Sequence, residues 1–138
     1  AKEKGINVPM VGGDGWDSPK LSEIGGEAIN GGYFSNHYSN ETTDPVAVEF
    51  MNKFKTKYNK MPDGLSAAGY DAAKVLFKAM ENAQNLSTES IRSAISTITD
   101  FPGVTGKITI NEKRNATKAA VVVEVQGNIN KFVTSVAP

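Results

Sequence analysis

A carboxylate set between two glycines and followed by an indole carries the most chemical content in this chain: Val8 to Trp16 reads VPMVGGDGW, an apolar strand running into Gly13, Asp14, Gly15 and Trp16. Gly-rich loops at strand ends are where α/β folds place ligands, because the backbone can approach closely and polar groups face the crevice. Asp14 has the chemistry to hold a ligand ammonium by a charge-assisted hydrogen bond while the flat face of Trp16 packs an apolar portion. Gly15 leaves room for that approach. This is binding chemistry rather than catalysis. Asp17 offers a second carboxylate, but the chain has one histidine, His37, and no cysteine. A Ser-His-Asp triad, a thiolate nucleophile and a zinc site therefore have almost nothing to build on. His37 reads as a solvated residue of a strand or connector. No cofactor is expected either, since GGDGW lacks the third glycine of the dinucleotide fingerprint and the Gly-Lys-Ser/Thr of a P-loop.

Fifteen basic and fifteen acidic side chains cancel over the 138 residues, and the pI is near 6.8. Such a balance provides no field to gather nucleic acid or an anionic membrane surface. No apolar run reaches membrane-spanning length, and the opening AKEKGINVP lacks the apolar core of a signal peptide, so the sequence reads as soluble or already processed. The length suits one ordinary core. Without cysteine, packing alone must stabilise it.

The elements that must position the loop follow from periodicity. Leu21, Ile24 and Ala28 sit at roughly helical spacing, but Gly25 and Gly26 interrupt them, which predicts a short, imperfect helix. Gly31 to Ser39 reads as an aromatic-rich strand, with Tyr33, Phe34 and Tyr38 as core or connecting residues rather than ligand stackers. Asp44 before Pro45 is a strong helix start, and Ala47, Phe50, Met51, Phe54 and Tyr58 follow on one face. NKMPDG breaks that helix. A second helix is expected to bury Tyr70, Ala73, Leu76, Phe77, Met80 and Ala83, with Ser66 as its N-cap and Asp71 as a helix-side carboxylate. A third, from Ser87 or Thr88, presents Ile91, Ala94, Ile95 and Ile98. From there the period changes: Lys107 to Ile110, Ala119 to Val125 and Asn130 to Val136 are rich in β-branched residues and read as strands.

Five fragments, in this order, resemble a known family: MVGGDGW, GGEAINGGYFSNHY, DPVAVEFMNKFKTKYNKMP, SAAGYDAAKVLFKAME and FPGVTGKITINEKRNATKAAVVVEV. Together they are similar to the C-terminal part of a type I periplasmic solute-binding protein, of the Leu/Ile/Val-binding kind that feeds ABC importers. The resemblance implies a partial periplasmic-binding-protein-like type I fold, three-layer α/β with C-terminal antiparallel strands and pieces of both lobes. Residues 1–40 would lie in the second lobe, 41–100 would form a helical part of the first, and 101–138 would return to the second. It implies a small amino-acid-like ligand between the lobes, with Asp14 near its α-ammonium, Gly15 and Trp16 on the cleft wall, and Leu65 and Ser66 lining the cleft. It also implies an ABC permease as partner and an extracytoplasmic site of action. The half-site for the ligand carboxylate would lie in an N-terminal part outside this sequence. Unpaired sheet edges would then call for that part or for a domain-swapped second copy. A sensory or regulatory receptor domain on the same scaffold is the alternative reading. The sequence departs from the family pattern at Asn111 and Asn115, within a surface turn.

Overall fold

The computed structural model describes residues 1–138 as a mixed α/β structure with two small sheets. The first contains β1 (Val11–Gly12), β2 (Tyr33–Asn36), β6 (Ala120–Gln126) and β7 (Ile129–Val136), hydrogen-bonded in that order. β1 and β2 run parallel, with Val11 beside Tyr33 and Gly12 beside Phe34, whereas β2, β6 and β7 are antiparallel. The expected C-terminal antiparallel strands are therefore present. Ile29, Phe34, Val123 and Val125 form this sheet's core, joined by Met10, Trp16, Leu21 and Val121. The interrupted helical stretch splits as its glycines suggest, into α1 (Pro19–Gly25) and a 3-10 turn, Gly26–Ile29.

The second unit is helical. α2 (Pro45–Tyr58) starts where Asp44 accepts hydrogen bonds from the Val46 and Ala47 N–H groups, at 2.9 and 3.3 Å. Such a cap satisfies backbone donors that have no partner within the helix. Ala47, Phe50 and Met51 are buried with Tyr38, Ala67 and Val104, and Phe54 packs on them. α3 (Gly64–Asn82) and α4 (Thr88–Ser96) follow, and α4 is capped by Ser87. A second sheet of β3 (Phe101–Gly103), β4 (Gly106–Ile110) and β5 (Ala116–Thr117) lies against them, with Val75, Ile98 and Ile108 as the shared core. In the turn between β4 and β5, the Asn111 carboxamide oxygen accepts from the Lys113 and Asn115 N–H groups.

Three expectations are corrected here. α3 buries Gly64, Ala67, Asp71, Val75 and Ala79, while Tyr70, Leu76 and Phe77 of the predicted stripe are exposed. This helix has two apolar stripes, and small residues beside Asp71 allow the closer packing. Its N-cap is Asp63, whose Oδ1 accepts from the Ser66 N–H at 2.7 Å, so Ser66 lies within the first turn. Finally, Phe101 to Thr117 stays with the helices rather than returning to the first sheet. The Asp71 carboxylate holds it there by accepting from Val104 N–H at 2.7 Å and Thr105 N–H at 2.8 Å. The chain rejoins the first sheet only at Ala120.

Candidate functional site

β1 and β2 are adjacent and parallel, and both end at one side of the first sheet. The crevice beyond the carboxyl ends of parallel strands is the general location for ligands in open α/β sheets. Beyond β1, Asp14–Trp16 forms a single 3-10 turn. Just beyond β2 comes His37, and its imidazole Nε2 lies 3.2 Å from Asp14 Oδ2. Half of the Asp14 side chain is exposed, and His37 is its one side-chain partner. A Cβ added at Gly13 or Gly15 would meet no atom within 4 Å, and neither residue has a positive φ. Nothing in the fold requires glycine there. The two glycines leave open space around the carboxylate.

Trp16 is half-buried and turns toward the sheet. Its ring centroid is 6.2 Å from that of Phe34, and a Cβ at Gly12 would collide with its indole. The indole therefore props the Asp14 turn from beneath, with part of its surface still open. Phe34 and Tyr38 are buried, as expected of core and connecting residues.

The two predicted stretches, Asp14 to Trp16 and Leu65 to Ser66, are brought together by a residue the sequence analysis used only as a hypothetical catalytic partner. Asp17 Oδ2 accepts from the Gly64 N–H at 2.6 Å, and its Oδ1 accepts from the Asn130 amide at 3.2 Å. A side chain at Gly64 would run into Asn36 Oδ1, so glycine lets the start of α3 press against the end of β2. Leu65, the next residue, is 66% exposed, and Ser66 is half-buried. An apolar side chain thus stands at the helix start tied to the Asp14 turn.

Electrostatics differ sharply across this region. Burial, assisted by the Asp17 carboxylate, pushes the Tyr38 hydroxyl well above the usual tyrosine range. Desolvation lowers Lys118 below the usual lysine range, with Asp71 opposing the shift, and its ammonium lies 3.5 Å from the His37 carbonyl oxygen. A cavity of about 300 Å³ opens beside these residues, between His37, Glu41, Thr105, Val121 and Phe132. Sequence reasoning missed His37, Asp17 and Asp71. No local signal in the sequence marked His37; it is the parallel pairing of the two strands that sets residues just past Phe34 beside residues just past Gly12.

The family model described as periplasmic binding protein matches residues 1–130. The chain belongs to this family. Among its relatives, Leu/Ile/Val-binding protein homolog 8 of Brucella melitensis is 27% identical over 97% of this chain. Among solved structures, the leucine-binding protein LivK of Thermotoga maritima superposes with a TM-score of 0.92 at 39% identity over 100% of this chain. The branched-chain amino acid binding protein LivJ of Streptococcus pneumoniae, solved with isoleucine, gives 0.86 at 26% identity, also over 100% of it. The chain spans only 36% of the Brucella relative and 40% of each of the two solved structures. The type I fold and the resemblance read from sequence are thereby upheld, for a partial chain.

Proposed function

We propose that this chain supplies one side of a cleft in which an extracytoplasmic solute-binding protein captures a branched-chain amino acid for an ABC permease. Such a protein binds and releases its solute without transforming it. Asp14 carries the reading: a half-exposed carboxylate beyond two parallel strands, flanked by glycines that leave it open. It takes the ligand ammonium. Leu65 and the open part of Trp16 face the apolar side chain, Gly15 admits the ligand, and Ser66 lines the cleft. The names of the similar proteins, which refer to leucine, isoleucine and transport, favour this over a sensory receptor.

In this reading the first sheet belongs to one lobe, and α2 to β5 belong to the other. Residues 37–44 and 118–119 are the crossings, and the Lys118 ammonium rests on the His37 carbonyl where they meet. The ligand carboxylate is held by parts of the longer protein outside this chain. Those parts cover the exposed Val11 at the sheet edge and Leu76 and Phe77 on α3, the faces that a swapped second copy would otherwise cover. Light scattering of the isolated chain distinguishes the two coverings, since a compact monomer counts against this need for a partner.

Calorimetry of leucine binding to the full-length protein tests the assignment. A charge-assisted hydrogen bond contributes about 1.5–3 kcal/mol, so Asp14→Ala should weaken binding roughly 10- to 150-fold. Unchanged affinity would remove Asp14 from the site.

A further inference from the structure

We propose that Asp17 is a positioning residue that latches the closed cleft: its carboxylate, carried by the first-sheet unit, holds the start of α3 only while the two units are drawn together over a solute. This rests on the reading of those units as two lobes around a solute, and not on Asp14 as the ammonium anchor. The units share no apolar core. Ile29, Phe34, Val123 and Val125 pack within the first, while the other two clusters draw on the helical unit and on Tyr38 of a crossing segment. Two bodies joined by short crossings without a large hydrophobic interface are expected to move relative to one another.

One hydrogen bond bridges them outside the crossings. Asp17 Oδ2 accepts the Gly64 N–H at 2.6 Å, whereas the other bonds of the first unit stay within it or, as from Phe132 to Glu41, reach a crossing segment. Gly64 is the first residue of α3, so its N–H has no acceptor within the helix, and the helix dipole favours a carboxylate there. Asn130 of β7 donates to Oδ1 at 3.2 Å and braces the carboxylate from its own side. The approach is close: a Cβ on Gly64 would stand 2.3 Å from Asn36 Oδ1 and 3.2 Å from Asp17 Oδ2. Leu65 and Ser66 directly follow Gly64, and Asp14 to Trp16 directly precede Asp17. Making this bond therefore brings the two cleft-lining stretches together, and breaking it lets them part.

Solute and latch stabilise the same arrangement, so each favours the other. Without the latch the closed population falls, and the apparent affinity falls with it. A half-buried hydrogen bond to a charged group predicts roughly 5- to 20-fold weaker leucine binding in Asp17→Ala, carried by faster dissociation while association changes less than about twofold. The Gly64 amide gives the direct test, because Asp17 is its one acceptor. In the full-length wild type, hydrogen exchange at that amide followed by NMR should slow at least about tenfold when leucine saturates the protein. Leucine that binds without slowing this exchange overturns the latch and leaves the solute reading standing; absence of leucine binding removes both. The exchange measurement needs no variant, so it decides even where Asp17→Ala does not fold. For a folded Asp17→Ala protein, stopped-flow binding of leucine completes the test. An unchanged dissociation rate, or a loss confined to the fraction of protein able to bind, reduces Asp17 to a structural role and overturns the latch. An Asp14→Ala protein that binds like wild type and still protects Gly64 removes the anchor alone.

Discussion

Asp71 and Asp14 are the same side chain in opposite circumstances. Asp71 is buried in α3, and its two oxygens accept the Val104 and Thr105 N–H groups. Asp14 sits on the rim after β1, half-exposed, with one imidazole at 3.2 Å. A carboxylate whose acceptor capacity is taken up by backbone donors is a structural clasp. One with unused capacity on an open rim is available to a ligand. Asp17 lies between them, since its partners are a backbone N–H and an amide from two other segments. It holds the site together without being free to bind.

Removing the clasp should have the largest effect. Asp71→Ala strands two buried backbone donors, each costing about 1–3 kcal/mol when unpaired. Urea denaturation of the full-length protein should therefore show a loss of about 2–6 kcal/mol, estimated from the same two donors. Asp14→Ala should do the reverse: the affinity loss described above, with stability changed by no more than about 0.5 kcal/mol, as for surface substitutions. Comparable destabilisation by both variants would erase the distinction.

The contrast was only half visible in the amino-acid order. Asp14 announced itself through its glycines, and α2 and α4 through caps and apolar spacing. Those signals are local, and the structure keeps them. Asp71 carried no such mark, because a carboxylate about two turns inside a helix reads as surface until the partner segment is known. That segment, Phe101 to Thr105, lies about thirty residues further on. The same gap bears on Phe101 to Thr117, which pairs in the sheet beside the helices and not in the first sheet: period identifies a strand but not its neighbours. Tyr70, Leu76 and Phe77 misled for another reason. Their spacing suits burial, but small residues on the opposite face of α3 make the close contacts within this chain.

Gly64→Ala probes the intermediate case. The added methyl would press on Asn36 Oδ1 and stand 3.2 Å from Asp17 Oδ2. Overpacking of this kind costs about 1–3 kcal/mol. Because Asp17 follows the Asp14 turn, leucine affinity should fall along with stability, unlike in either aspartate variant. A stability loss with unchanged affinity would show that the start of α3 and the Asp14 turn are mechanically independent.

The smallest effect lies on the alkaline side, where two residues near the crossing segments act with opposite signs. Desolvation lowers Lys118, so just below the ordinary lysine range, about 10.4, the unfolded chain binds more protons and stability should rise with pH. Burial and then Asp17 raise Tyr38. Above the ordinary tyrosine value of about 10, the folded state keeps a proton that the unfolded chain loses, so stability should fall as pH rises. Lys118→Met should abolish the rise, which amounts to less than about 1 kcal/mol because the half-buried ammonium is still partly screened by solvent. Tyr38→Phe should flatten the fall. Both are read as differences from wild type in urea midpoints across that window. A Tyr38→Phe protein with an unchanged alkaline limb would mean that its hydroxyl is solvated, and that the connection between the two units is looser than the buried ring implies.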